Sequence, residues 1–293
     1  MNRPFQTSLF EIVARRASYR SYREAPEQGQ RLAALGGALA ELPPLPFGTP
    51  VRIGLIAGFD PRVHGVEKLG TYGVIRGAKS FLVGLMPEGP RCFEDLGYAF
   101  EWAILTATDL GLQTCWLGGT LQREAFARAA GASAAESVPV VSPVGIAAEK
   151  RSLVDHTFRF LAGSKDRKPW QELFFARDFQ TPLPRSEDSP FARALEMVRL
   201  APSASNKQPW RVLRDPEREE LFHFYLARSP GYRKLMQADL QRIDLGIALG
   251  HFALACQEQG IAGTWSTEPP TGVSPAQGLE HIATFESTDR HRR

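Results

Sequence analysis

The chain repeats itself. Asp95-Leu96-Gly97-Tyr98-Ala99 returns as Asp244-Leu245-Gly246-Ile247-Ala248, at a gap of 149 residues. The same gap pairs Leu105 with Leu254, Asp109 with Glu258, Gly111 with Gly260 and Trp116 with Trp265. A shared apolar helix face explains the leucines. It does not explain Asp-Leu-Gly at one end and Gly with Trp at the other. A second gap, of 159 residues, pairs Pro43 with Pro202, Pro50 with Pro209, and Arg52-Ile53 with Arg211-Val212. Two copies of one unit in a chain are expected to pack as related halves. With 293 residues, 43% of them apolar, there is material for one large core or two smaller ones. The expected division is a first half over 1–179, a Pro- and charge-rich linker over 180–189 and a second half over 190–293.

Local patterns fill in the halves. Ser8-Leu9-Phe10-Glu11 reads as a capping box opening a helix with Leu9, Ile12 and Val13 on one face. Further helices are expected over 26–42, 93–110, 122–130, 191–200 and 238–259, and Gly111 and Gly260 stop the two repeat helices. Strands are expected over 51–57, 80–85, 138–147, 210–213, 221–227, 263–266 and 281–286. Pro143 predicts that the strand over 138–147 is bent or lies at an edge.

Polar clusters mark where chemistry could sit. In the second copy, Pro202-Ser203-Ala204-Ser205-Asn206-Lys207-Gln208-Pro209-Trp210 joins a helix to a strand. Its prolines fix φ, and Ser203, Ser205, Asn206 and Gln208 both donate and accept hydrogen bonds. Such a loop can hold a flat polar ring by its edge, or be an Asx/Ser turn that satisfies only its own backbone. In the first copy Phe47 replaces Asn206 and Thr49 replaces Gln208. Arg16-Ala17-Ser18-Tyr19-Arg20 offers guanidinium forks and a hydroxyl; taken alone it is the solvated basic end of a helix or a grip for a phosphate. Leu117-Gly118-Gly119-Thr120 is either a turn that lets backbone approach a ligand or a plain interhelical turn. Lys165-Asp166-Arg167 taken alone is a charged turn.

P-S-x-x-N-x-Q-P-W, here Pro202 to Trp210, resembles the signature loop of the FMN-dependent nitroreductase superfamily. Arg16-Ala17-Ser18-Tyr19-Arg20-Ser21-Tyr22 resembles its R-x-S-x-R-x-(F/Y), and Lys165 with Arg167 its later K-x-R. The resemblance covers nearly the whole chain, most strongly around 14–22, 95–120, 164–170 and 200–212. It is to the internally duplicated, single-chain branch. It implies an α+β fold, a mixed sheet flanked by helices, built twice as a pseudo-dimer. It also implies bound FMN. Arg16, Ser18, Lys165 and Arg167 would face the phosphate side, and Arg20 would reach the pyrimidine edge of the ring. The backbone of Leu117, Gly118 and Gly119 would approach the ring, and Pro202, Ser203, Ala204, Asn206 and Gln208 would hold its edge. NAD(P)H would reduce the flavin by hydride transfer and leave, and a small electron acceptor, nitroaromatic or quinone-like, would take its place. No side chain need act as a catalytic nucleophile. Family members usually need two chains per flavin, and carry the loop early rather than past residue 200. Duplication accounts for both, and implies a monomer with one complete site.

Some residues depart from the family pattern. Thr71-Tyr72-Gly73-Val74 lacks the Asn and basic residue usual near the pyrimidine edge, although Arg76 is close. In the second half the nearest match to the phosphate grip, Arg185-Ser186-Glu187-Asp188, carries carboxylates that would repel a phosphate. Alternatives left open are another flavin reaction, such as dehalogenation or dehydrogenation, and a non-enzymatic flavin-binding or regulatory protein.

The remaining features exclude more than they assign. A net charge of +3 and a short basic end give no reason to expect nucleic acid. There is no apolar run of the ~18 residues that spans a bilayer, no secretory leader pattern and no metal-spaced His/Cys cluster. Three widely spaced cysteines read as thiols in a reducing compartment, so a cytoplasmic protein is expected.

Overall fold

The computed structural model describes residues 5–59, 75–119, 122–148, 166–230, 238–271 and 277–288. The helices are α1 (Leu9–Arg15), α2 (Gln28–Leu39), α3 (Cys92–Asp109), α4 (Arg123–Ala129), α5 (Trp170–Leu173), α6 (Ala192–Leu200) and α7 (Leu240–Glu258). A single 3-10 turn, Ala204–Asn206, follows α6. The strands are β1 (Tyr22–Arg23), β2 (Arg52–Ile56), β3 (Phe81–Pro87), β4 (Gln113–Thr114), β5 (Glu136–Ala147), β6 (Phe174–Ala176), β7 (Trp210–Arg214), β8 (Leu221–Ala227), β9 (Gly263–Ser266) and β10 (Leu279–Ser287).

The repeat is visible as topology. In the first half the strands run β2-β3-β5 with β4 on β5; in the second they run β7-β8-β10-β9. Every pairing in these two series is antiparallel. Each series therefore has the same order, and each gains one extra strand. β1 pairs with β5, and β6 runs parallel to β7. Residues 174–176, which the sequence assigns to the first half, thus complete the sheet of the second. The stretch read as a linker folds back on them: Leu183 N donates to Phe174 O at 3.0 Å, and the buried Trp170 Nε1 donates to Leu183 O at 2.8 Å. The first sheet is antiparallel in all its named strands, the second is mixed through β6, and helices flank both, an α+β fold.

Helices α3 and α7, one from each copy, pack against each other at the centre. Their buried residues belong to one continuous core that takes in both halves, from Leu9 and Leu35 through Leu96 and Leu245 to Ile282 and Phe285. The repeated glycines and aspartates each have a physical cause. Gly97 and Gly246 sit at the helix crossing. A Cβ on Gly97 would lie 2.1 Å from Ile243 O, and one on Gly246 1.9 Å from Glu94 O. Gly111 and Gly260 follow the two helices at φ 74 and 76, the left-handed conformation that closes a helix. Asp95 and Asp244 anchor the loop of their own half.

Ser8 caps α1 as expected, its Oγ accepting from Glu11 N at 3.3 Å. The expectation that the strand containing Pro143 lies at an edge is corrected; its pairing with β3 does carry an irregularity, between Val140 and Ser137. β5 is continuous over Glu136–Ala147 and lies inside the sheet between β1, β4 and β3. A proline is tolerated because the residue opposite it leaves the ladder while the register holds on both sides. Gln113 and Thr114 pair with Gly145 and Val144, Leu117 pairs with Val141, and Cys115 N between them donates to Ser142 Oγ at 3.0 Å. All three cysteines are buried free thiols. Among the described residues no helix is long and apolar enough to cross a membrane, and no cluster of His, Cys, Asp or Glu could hold a metal ion.

Candidate functional site

The segment after α1 is fixed in extended form. Tyr19 N donates to Thr114 O at 2.9 Å, Arg76 N to Arg20 O at 2.8 Å and Tyr22 N to Arg76 O at 2.9 Å. This pairing presents Arg16, Ser18 and Arg20 to a cavity of about 650 Å³, a volume in the usual range for a small-molecule or cofactor site. Arg76 contributes backbone to the arrangement and its side chain is exposed. The Lys165 and Thr71–Val74 positions lie outside the described residues.

Arg167 reaches the same cavity from the end of the first half. Its Nη1 donates to Asn206 Oδ1 at 2.8 Å and its Nη2 to Leu200 O at 3.1 Å. Its pKa is pushed down to about 10, by burial first and then by the positive charges of Arg16 and Arg199. Two guanidinium groups from distant parts of the chain therefore oppose each other across a space that an anion would suit. Arg16 Nε, 3.9 Å from Glu101 Oε1, makes no hydrogen bond within the protein among the described residues.

The second half supplies another wall. Pro202, Ser203, Ala204, Ser205 and Asn206 line the cavity, with Leu240, Ile243, Asp244 and Ile247 of α7 beside them. Ser205, Asn206 and Gln208 hold φ of 50, 53 and 48, a left-handed cluster of non-glycine residues. Such strain persists only where side chains over-determine the loop. Here Asn206 Nδ2 donates to Asp166 O at 2.7 Å, and Gln208 Oε1 accepts from Lys168 N at 2.8 Å. The loop is thereby tied to the segment that carries Arg167. Gln208 does not line the cavity. It is 2% exposed, and its amide group is spent on the backbone of 166, 168 and 206.

Leu117, Gly118 and Gly119 border the cavity. Arg123 Nη2 donates to the carbonyls of Gly118 and Gly119 at 3.1 and 3.0 Å, which fixes both peptide planes. The reason for glycine at 118 is packing: a Cβ there would lie 2.7 Å from Leu240 Cδ2. A side chain there would require Leu240, at the first turn of α7, to shift.

Sequence reasoning missed a buried polar group under the site. Glu101, fully buried in α3, accepts from Trp116 Nε1 at 2.7 Å and lies 3.0 Å from His251 Nε2. His251, expected to be structural, also contacts Met197 O at 3.0 Å. The apolar wall of Leu240, Ile243 and Ile247 was also missed. Their helical spacing looks like ordinary core, and only the neighbouring loop makes them a cavity wall.

The repeat places a second groove, of about 830 Å³, at the corresponding position between the halves. There Phe47 stands for Asn206, Trp265 for Trp116, Glu268 for Gly119 and Arg91 for Leu240. Arg91 is the sole arginine among its lining residues and lies over the Phe47 ring, 5.5 Å from its centroid; Glu88 and Glu268 share the groove. Arg185 lines neither cavity. It pairs with Glu196 at 3.5 Å and covers the Trp170 ring.

Residues 8–256 match the model of the family described as "Putative TM nitroreductase". The fold is similar to that of a "putative nitroreductase" from Thermotoga maritima MSB8, at 18% identity and a TM-score of 0.56, covering 96% of this chain and 94% of that one. An FMN-dependent nitroreductase from Clostridium difficile R20291 aligns at 16% identity and a TM-score of 0.39, over 49% of this chain and 90% of that one. A nitroreductase family protein from Clostridium novyi NT aligns at 17% identity and a TM-score of 0.39, over 50% and 90%. No curated protein matches the sequence. With a family model spanning most of its length, and the fold to go with it, the chain belongs to the "Putative TM nitroreductase" family.

Proposed function

We propose that the protein is an FMN-dependent oxidoreductase, reduced by NAD(P)H and passing electrons to a small nitroaromatic or quinone-like acceptor. The observation that carries the reading is the meeting of Arg16, Arg20 and Arg167 with the second-half loop around one cavity. The residues fit FMN in kind. A phosphate among the arginines would offset the repulsion that lowers Arg167 and would give Arg16 Nε an acceptor. Leu240, Ile243, Ile247, Val13 and Val140 offer apolar surface to a flat ring and keep water from it. Ser18 and Ser203 add hydroxyl donors. Asn206 and Gln208 act on the loop itself, holding its left-handed turns so that Pro202 to Asn206 face the cavity. When bound, FMN supplies the redox chemistry by accepting hydride from the nicotinamide and releasing electrons to the acceptor.

Each chain would form one site as a monomer, since the grip and the loop belong to the same polypeptide. Anaerobic titration of the FMN-loaded protein with NADH and NADPH tests the activity. Bleaching of the flavin absorbance, restored by a nitroaromatic or quinone, is expected. A bound flavin that neither nicotinamide bleaches would contradict a reductase.

A further inference from the structure

Asp244, in the second turn of α7, lines the cavity and is only 2% exposed. Its Oδ1 accepts from Ala204 N at 2.9 Å, while its buried Oδ2 has no hydrogen-bond partner among the described residues. The repeat supplies an internal comparison. Asp95 holds the same place in the first copy, and both its oxygens are engaged. Oδ1 accepts from Phe47 N at 3.1 Å, and Oδ2 from Thr49 N at 2.8 Å and Thr49 Oγ1 at 2.9 Å. In the second copy the residue matching Thr49 is Gln208, whose N–H turns away to Ser203 Oγ at 2.9 Å. The loop that saturates Asp95 therefore releases one oxygen of Asp244, in the copy whose loop borders the arginine-lined cavity.

The surroundings favour the neutral acid. Ala204, Leu240, Ile243 and Ile247 border the same cavity, and a carboxylate held there by one N–H costs far more than a carboxylic acid. Burial pushes the Asp244 pKa well up, opposed by the bond from Ala204 N and reinforced by the charge of Asp239. The other charged groups on adjoining elements have other business. Arg242 on the same helix pairs with Glu94 and Glu280, and Glu94 of α3 also meets Arg91 at 3.3 Å. On α6, Arg199 pairs with Glu196. Lys207 is exposed. Arg16, Arg20 and Arg167 share the cavity, and a phosphate among them would cancel the field that could otherwise favour an ionised Asp244.

We propose that Asp244, as a neutral acid, donates a hydrogen bond from Oδ2 to an acceptor atom on the ring of the bound flavin. The second half then contributes an acid as well as a loop. This rests on the flavin reading above. A donor at the ring favours its electron-rich reduced form.

The test is an infrared difference spectrum of the full chain, FMN-bound minus FMN-free, for wild type and Asp244→Asn. The isosteric amide keeps an acceptor for Ala204 N and a donor for the ring. The expected result is a carbonyl stretch of a protonated carboxyl that shifts on FMN binding in wild type and is missing in Asp244→Asn, with FMN affinity kept within a few-fold. Asp244→Leu, checked for folding by its thermal transition, should bind FMN about fivefold to a hundredfold more weakly. Its bound flavin should have a more negative midpoint potential. FMN uptake without a moving carboxyl band, or with the band retained in Asp244→Asn, overturns this assignment alone. Wild-type protein that takes up no FMN overturns the flavin reading and this assignment together.

Discussion

Gly97 and Gly246 meet where the two repeat helices cross: a Cβ on Gly97 would lie 3.1 Å from the Cα of Gly246. The contacts around them are reciprocal. Gly97 abuts the carbonyl of Ile243, Gly246 abuts that of Glu94, and 94 and 243 are themselves repeat partners. This near-symmetric crossing sets the distance between the halves, and so the width of both grooves between them. One groove kept cationic and polar walls; the other acquired Phe47 and Glu268.

Gly97→Ala and Gly246→Ala should each destabilise the protein by about 3 kcal/mol or more, because the obstruction is backbone and cannot rotate away. Gly37→Ala is the contrast. Gly37 is exposed within α2 with nothing within 4 Å of a new Cβ, so that variant should gain up to about 1 kcal/mol. Urea denaturation of the three variants checks both signs.

Arg16→Ala and Arg167→Ala should each weaken FMN binding by about ten- to hundredfold, the worth of a charge-assisted bond to phosphate. Arg185→Ala should bind FMN like wild type, since Arg185 is engaged with Glu196 and Trp170 outside the cavity. Fluorescence quenching titrations compare the three. Equal affinities would place the phosphate elsewhere.

The repeat, the helix ends and most strands were legible because they depend on short-range pattern: glycine after a helix, alternation in a strand, matched residues at a constant gap. β1, β4, β6 and α5 were not. Each has between two and four residues, and forms only because a distant partner exists, as Phe174–Ala176 does alongside Val212–Arg214. At the site, the convergence of Arg16 and Arg167 on one cavity came from family resemblance, not from spacing. Gln208 looked like a ligand group because its amide chemistry suits a ring edge. Its actual partners, Lys168 N and Asp166 O, lie forty residues away in sequence. The Asp244 oxygen was invisible for a related reason, since its freedom depends on where a neighbouring loop's N–H points.

Acid should expose one ion pair in the first half. Arg52 Nε and Nη2 donate to Glu136 Oε1 and Oε2 at 2.6 and 2.9 Å, and Ser133 N donates to Oε2 at 2.8 Å. With the Arg52 bond as the main cause, the Glu136 pKa falls from 4.5 to about 2. A pKa lower in the folded chain than in the unfolded one gives stability that is present above pH 4.5 and lost as pH falls toward 2. Solvent screening at the 43% exposed Arg52 side chain keeps the amount at about 1 kcal/mol or less. Glu136→Gln should therefore be slightly less stable than wild type at about pH 6 and no longer distinguishable at about pH 2. A stability gap that widens on acidification would contradict this assignment.

Size-exclusion chromatography with light scattering and simultaneous flavin absorbance tests the central claim, that one chain completes one flavin site from both of its halves. A particle of 32.4 kDa carrying one FMN is expected, with the ratio unchanged on dilution. Two FMN per chain would mean that the Phe47–Glu268 groove also binds flavin. Flavin found only in a particle of twice that mass would mean that the site is shared between chains.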